Sequence, residues 1–63
     1  MRYGVVISFN SAKGIGNIKD SSTNIEYGFA KADCPHEVEI LDEVAFEVTT
    51  ENHKMRAINI KPS

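Results

Sequence analysis

Tryptophan is absent from this chain and cysteine occurs once, and the two scarcities narrow its chemistry before any motif is read. A lone thiol, Cys34, cannot close an internal disulfide. The fold must therefore stand on packing alone, and a reducing compartment, the cytoplasm, is the expected location. No hydrophobic run approaches the ~20 residues that a membrane-spanning helix requires. The start Met1-Arg2-Tyr3 lacks the apolar stretch of a secretory signal, so a soluble protein with no membrane partner is expected. With 63 residues the chain makes one small domain, residues 1–63. A domain of this size buries only about 60% of its unfolded surface. It offers no deep pocket for a reaction, and neither enzymatic activity nor a cofactor is expected. Positive charge is also scarce: seven Lys and Arg face nine Asp and Glu, for a net charge of −2. That balance speaks against nucleic-acid binding by bulk electrostatics and leaves only binding through a local face.

What the chain does have is alternation. Tyr3 to Phe9 is rich in Val, Ile and aromatic residues, and Asn10 to Lys13 reads as a turn. Ile15 to Asp20 forms a second strand in which Gly16 permits close approach at a barrel corner. The polar Ser21-Ser22-Thr23-Asn24 stretch is a hairpin connection. Ile25 to Phe29 is a third strand, with Ile25, Tyr27 and Phe29 at period two. Ala30 to Leu41, which includes Pro35, reads as a long crossing connection. Glu43 to Thr50 sets Val44, Phe46 and Val48 against a wet face of Glu43, Ala45 and Glu47, and Met55 to Lys61 closes the set. Five such strands predict an all-β fold, a small five-stranded antiparallel Greek-key barrel of the OB type. Its expected core is Val6, Ile18, Ile25, Val44, Phe46, Val48 and Ile60.

Four segments carry a family resemblance. Gly4-Val-Val-Ile-Ser-Phe-Asn10 followed by Lys13-Gly-Ile-Gly-Asn-Ile18 resembles the opening of the bacterial cold-shock domain, Gly-x-Val-x-Trp-Phe-Asn and Lys-Gly-Phe-Gly-Phe-Ile. Asn24-Ile-Glu-Tyr-Gly-Phe-Ala30 resembles that family's third strand. Leu41-Asp-Glu-Val-Ala-Phe-Glu-Val48 and Ala57-Ile-Asn-Ile60 resemble its later segments, with a short deletion. The resemblance implies an OB-type barrel that binds single-stranded RNA or DNA by stacking bases on exposed aromatics. Phe9 and Phe29 match family aromatics, and Lys13 matches a family lysine. Ser8, Ile15, Asn17, Glu26 and Gly28 stand where the family has Trp, Phe, Phe, Phe and His.

Each aromatic ring on such a face is worth about 1–3 kcal/mol per stacked base. Loss of most of them leaves a weakened or altered nucleic-acid face, for which Phe9, Lys13, Phe29, Ser8, Ile15, Asn17 and Arg56 are the candidate residues. Other roles stand beside these. Phe29 shares its period with Tyr27 and is either a stacking ring or a core residue, and Lys13 is either a phosphate contact or a solvated turn residue. Glu26 would repel phosphates. The alternative function is a protein-interaction module that has lost nucleic-acid binding, its partner another protein or a second copy. Cys34-Pro35-His36 invites a metal reading, but one Cys and two His cannot supply the four N or S ligands of a structural zinc site. No metal is expected.

Overall fold

The structure, a computed structural model, describes residues 1–34 and 37–63, and its first two connections repeat one device. Asn10 Oδ1 accepts the Lys13 N–H at 3.1 Å, and Asp20 Oδ1 accepts those of Ser22 and Thr23 at 2.8 and 3.2 Å. Four residues beyond each, Gly14 (φ 69°) and Asn24 (φ 61°) turn left-handed. Their N–H groups return to the carbonyls of Asn10 and Asp20 at 2.8 and 2.9 Å. Short Asx side chains and residues that tolerate positive φ are what these turns require. They join β1 (Arg2–Asn10), β2 (Ile15–Asp20) and β3 (Glu26–Ala30) into an antiparallel meander. A third hairpin joins β4 (Glu43–Glu51) to β5 (Lys54–Pro62). Its two turn residues, Asn52 and His53, both have positive φ, which matches the twist of the flanking strands.

The five strands close into a barrel of order β1-β2-β3-β5-β4, with β4 returning to β1. The expected all-antiparallel pairing holds at four seams, while β3 and β5 run parallel and share one register pair, Gly28 with Arg56. Parity explains the exception. Strand direction cannot alternate all the way around a ring of five, so one seam must be parallel. The long connection that makes the crossing begins with a single 3-10 turn, Lys31–Asp33.

Two bulges decide what points inward. In β1, Val6 lies opposite Ile18 and Ser8 opposite Asn17, so Ile7 is an extra residue that shifts the phase. Gly4 and Val6 are buried before it, and beyond it Phe9, rather than Ser8, packs against the core. In β5, three steps from Ile58 to Lys61 face two in β4, and Asn59 takes φ 51°. Ala57 and Ile60 are both buried as a result. The core cluster is Val6, Ile18, Tyr27, Phe29, Cys34, Val44, Phe46, Ala57 and Ile60, with Phe9, Val38 and Val48 packed against it.

Five of the residues expected in the core are buried, and Val48 is half-buried. Ile25 is a correction: it is 51% exposed. Asn24 reverses the chain just before it, and β3 begins only at Glu26, so Ile25 sits beyond the rim. Ala45, expected on the wet face, is buried. It is paired on both sides, with Tyr3 in β1 and Lys61 in β5.

Asp20 is the one buried charged residue among the described residues. The N–H of Ser22 is the main reason its pKa lies below the usual 3.8, with the Arg2 guanidinium at 3.2 Å and the Thr23 N–H adding to it against the opposing cost of burial. Arg2 also lies over the Tyr27 ring, 5.9 Å from its centroid, and ties the start of β1 to β3. Because the folded-state pKa is depressed, this stabilisation is full above the unfolded value and fades as pH falls through the folded one. Asp20→Asn keeps an acceptor for the turn but cannot titrate, so urea melts from pH 7 to pH 2 should show a shallower acid loss than wild type. An unchanged acid limb would contradict the assignment.

Phe46, fully buried, should cost about 3–5 kcal/mol when replaced by Ala. A domain of this length commands roughly 3–9 kcal/mol in total. Phe46→Ala should therefore be largely unfolded by circular dichroism at 37 °C, and a variant that melts like wild type would remove that ring from the core.

Candidate nucleic-acid interface

Register places one row of residues across four strands: Ser8 in β1 faces Asn17 in β2, Asn17 faces Gly28 in β3, and Gly28 faces Arg56 in β5. Residues in register share a face of the sheet, and this row lies on the outer one. Asn17 Nδ2 donates to Ser8 Oγ at 3.0 Å, so two of the small polar side chains form one hydrogen-bonding unit. Asn10, Ile15 and Ala30 form the next row on one side, and Val5, Lys19 and Glu26 the next on the other. A shallow groove of about 460 Å³ follows the surface between Ser8, Asn10, Ile15, Asn17 and Gly28 and reaches Phe9 and Phe29. Five of the residues singled out in the sequence, Ser8, Phe9, Ile15, Asn17 and Phe29, thus meet at one place.

The two aromatics are stacked on each other. Phe9 and Phe29 lie on either side of Gly16 in register, and their rings stack at 5.9 Å between centroids with planes 5° apart. Phe29 is buried and Phe9 half-buried. Of the two readings that the sequence left open for Phe29, its burial favours the core residue, although it also lines the groove. Gly16 makes the stack possible, since a Cβ there would stand 2.6 Å from the Ser8 carbonyl oxygen and 2.7 Å from Phe29 Cζ. Gly28 differs, because a Cβ there would meet nothing closer than Asn17 Oδ1 at 3.7 Å.

Charge is arranged differently from its distribution along the chain. Arg56 ends the polar row, but its guanidinium is held by Asp33 at 2.6 Å and approached by Glu51 at 3.6 Å. The exposure of that cation is reduced by its two acids. Lys13 is exposed in the β1–β2 turn and is not among the residues lining the groove. The N–H of Lys31 bonds to the Gly14 carbonyl at 2.7 Å, which brings a second lysine beside that turn. Lys31 was not singled out in the sequence, and only the fold of the crossing connection places it there. Glu26 is exposed at the first residue of β3, directly across from Lys19 in register.

Among the described residues no group of three or more His, Cys, Asp or Glu is arranged to hold a metal ion. Cys34 is buried, whereas Pro35 and His36 of the Cys-Pro-His segment lie outside the described residues. Among the described residues no helix is long and apolar enough to cross a membrane. Comparison with protein-family models, with curated proteins and with solved structures returned no match.

The two glycines give a paired test of this geometry. Gly16→Ala should destabilise by about 1–3 kcal/mol, because it forces apart a packed ring and a strand. Gly28→Ala should change stability by no more than about 0.5 kcal/mol, as surface substitutions usually do. Equal urea midpoints for the two variants would show that the stacked rings do not lie where they are placed.

Proposed function

We propose that the outer face of β1, β2 and β3 binds single-stranded RNA or DNA weakly, as a cold-shock-like domain in which a hydrogen-bonding row replaces a stacking platform. The alignment of Ser8, Asn17, Gly28 and Arg56 across four strands carries this reading. The Ser8 hydroxyl and the Asn17 amide together offer donors and acceptors to base edges or sugar hydroxyls. Lys13 and Lys31 at one end of the face and Lys19 along its side supply phosphate contacts, and Ile15 gives one apolar surface beside them. Low affinity follows from the chemistry. Micromolar binding corresponds to about −8 kcal/mol, and a face that forgoes several rings at about 1–3 kcal/mol each falls short of it. A single cysteine, which cannot form an internal disulfide, supports a reducing, cytoplasmic setting for this binding.

One observation favours a second reading, a protein-interaction module. The cation that ends the row is already paired with Asp33 and Glu51, and Ile15 is half-exposed beside the groove.

Titration of a fluorescent pyrimidine-rich heptamer over a range of salt separates the two. Binding weaker than micromolar near physiological salt, falling as salt rises, is the expected result. Glu26→Lys should tighten it and steepen the salt slope by about one counterion. Ser8→Trp combined with Asn17→Phe should tighten it by several kcal/mol at most, given about 1–3 per stacked base. Nanomolar binding by the wild type would overturn the attenuated mechanism. No binding by wild type or by Glu26→Lys, with self-association in the ultracentrifuge that the variant abolishes, would establish the second reading instead.

A further inference from the structure

The connection into β4 ends in a turn whose residues are wrong for its geometry. Glu39 O accepts the Asp42 N–H at 3.1 Å, which closes a four-residue turn with Ile40 and Leu41 at its two corners. Leu41 has φ 77°, a conformation that Gly or Asn adopts readily and that strains a bulky side chain. Neither corner is covered: Ile40 is 58% and Leu41 75% exposed, the latter the highest value among the large exposed hydrophobic residues. The turn is firmly held all the same. The Leu41 N–H donates to the Val6 carbonyl at 2.7 Å and the Val6 N–H to the Asp42 carbonyl at 3.0 Å, while Asp42 Oδ2 accepts the Glu39 N–H at 2.8 Å. Two large aliphatic side chains are thus displayed on a backbone anchored to the bulged part of β1.

We propose that this turn is a contact surface for a basic protein, whose apolar pocket, rimmed by Lys or Arg, receives Ile40 and Leu41. Charge selects the partner. Glu39 and Asp42 flank the tip in the turn itself; Glu37, Asp42 and Glu43 line one cavity beside it with Lys61, and Glu37 and Glu39 line another with Lys31, so the carboxylates outnumber the lysines. All four carboxylates are on exposed residues, and among the described residues none is in an ion pair with Lys, Arg or His. Such a rim repels a phosphate backbone and a second copy of itself, and it favours a cationic protein surface. An apolar anchor ringed by complementary charge has the arrangement of a binding hot spot. The turn meets β1 at Val6, and its Ile40–Leu41 tip does not line the groove of the Ser8–Asn17–Gly28 row, so the proposal does not depend on nucleic-acid binding there.

The test uses three labelled synthetic peptides: one built of Lys and Leu, a second with every Leu replaced by Ser, and a third with every Lys replaced by Glu. The Lys/Leu peptide should bind saturably by anisotropy, more weakly as salt rises, and should shift the amide resonances of residues 39 to 43. The other two should not bind. Leu41→Gly should weaken binding by about tenfold or more, the scale of a hot-spot truncation. It should melt no lower than wild type, since glycine takes the left-handed conformation without strain. Ile40→Ser, which leaves Leu41 in place, should weaken binding independently. Absence of saturable binding, equal affinity for Leu41→Gly and wild type, or shifts centred on Ser8, Asn17 and Gly28 would each overturn the proposal.

Discussion

One extra residue in the first strand governs most of what this barrel presents to its surroundings. Ile7 bulges between Val6 and Ser8, and every side chain beyond it changes face relative to strict alternation. Without it, Ser8 would follow Gly4 and Val6 inward and Phe9 would stand outside. With it, Phe9 packs on Phe29 across Gly16 and closes the core, while Ser8 reaches the surface to accept a hydrogen bond from Asn17. The core and the polar row are therefore alternatives exchanged by a single backbone irregularity. The same stretch of β1 anchors the Glu39–Asp42 turn through both the N–H and the carbonyl of Val6.

Ring closure imposes a second constraint. Five strands require one parallel seam, and here it rests on a single register pair between β3 and β5. Side chains reinforce a junction that backbone pairing leaves thin. Arg56, the β5 member of the pair, reaches Asp33 in the 3-10 turn that follows β3 and also approaches Glu51 across the β4–β5 hairpin. Its guanidinium thus links three parts of the chain at the weakest seam. A residue that would serve as a phosphate contact by position has a structural duty, and the two roles compete for the same donors.

The strands and most of the core were legible in the sequence because period-two alternation reports burial directly. Val6, Ile18, Val44, Phe46 and Ile60 are buried as that period requires. Alternation misled where the chain departs from ideal pleating or where neighbours, rather than direction, decide exposure. Ile25 keeps the phase of Tyr27 and Phe29 but lies past the end of the ladder, and Ala45, out of phase with Val44 and Phe46, is buried while paired on both sides by Tyr3 and Lys61. Phe29 could be read either as core or as a stacking ring, and its burial alongside Tyr27 in β3 favours the core. The candidate site was legible as a set of residues, since Ser8, Ile15 and Asn17 do share one face. The position of Lys31 beside the Lys13 turn was not, because it depends on how an irregular connection lies over the barrel.

The left-handed residues sharpen the contrast between the two surfaces. Gly14, Asn24, Asn52 and Asn59 occupy positive φ with residues suited to it, and local preference there agrees with the fold. Leu41 is a departure of another kind, a bulky γ-branched side chain at a position where glycine would relieve strain and hide no apolar surface. Sequences that fold well carry few such conflicts, and those they keep concentrate where binding demands a particular side chain. On the β1–β3 face the chain presents the small polar side chains of Ser8 and Asn17 in regular strand register and without strain. At residues 40 and 41 it does the reverse, holding exposed aliphatic surface at a conformational cost. Carboxylates flank the Ile40–Leu41 tip, whereas Lys13 and Lys31 stand at the β1–β2 turn, so the connections that meet β1 bring surfaces of different charge together within 63 residues.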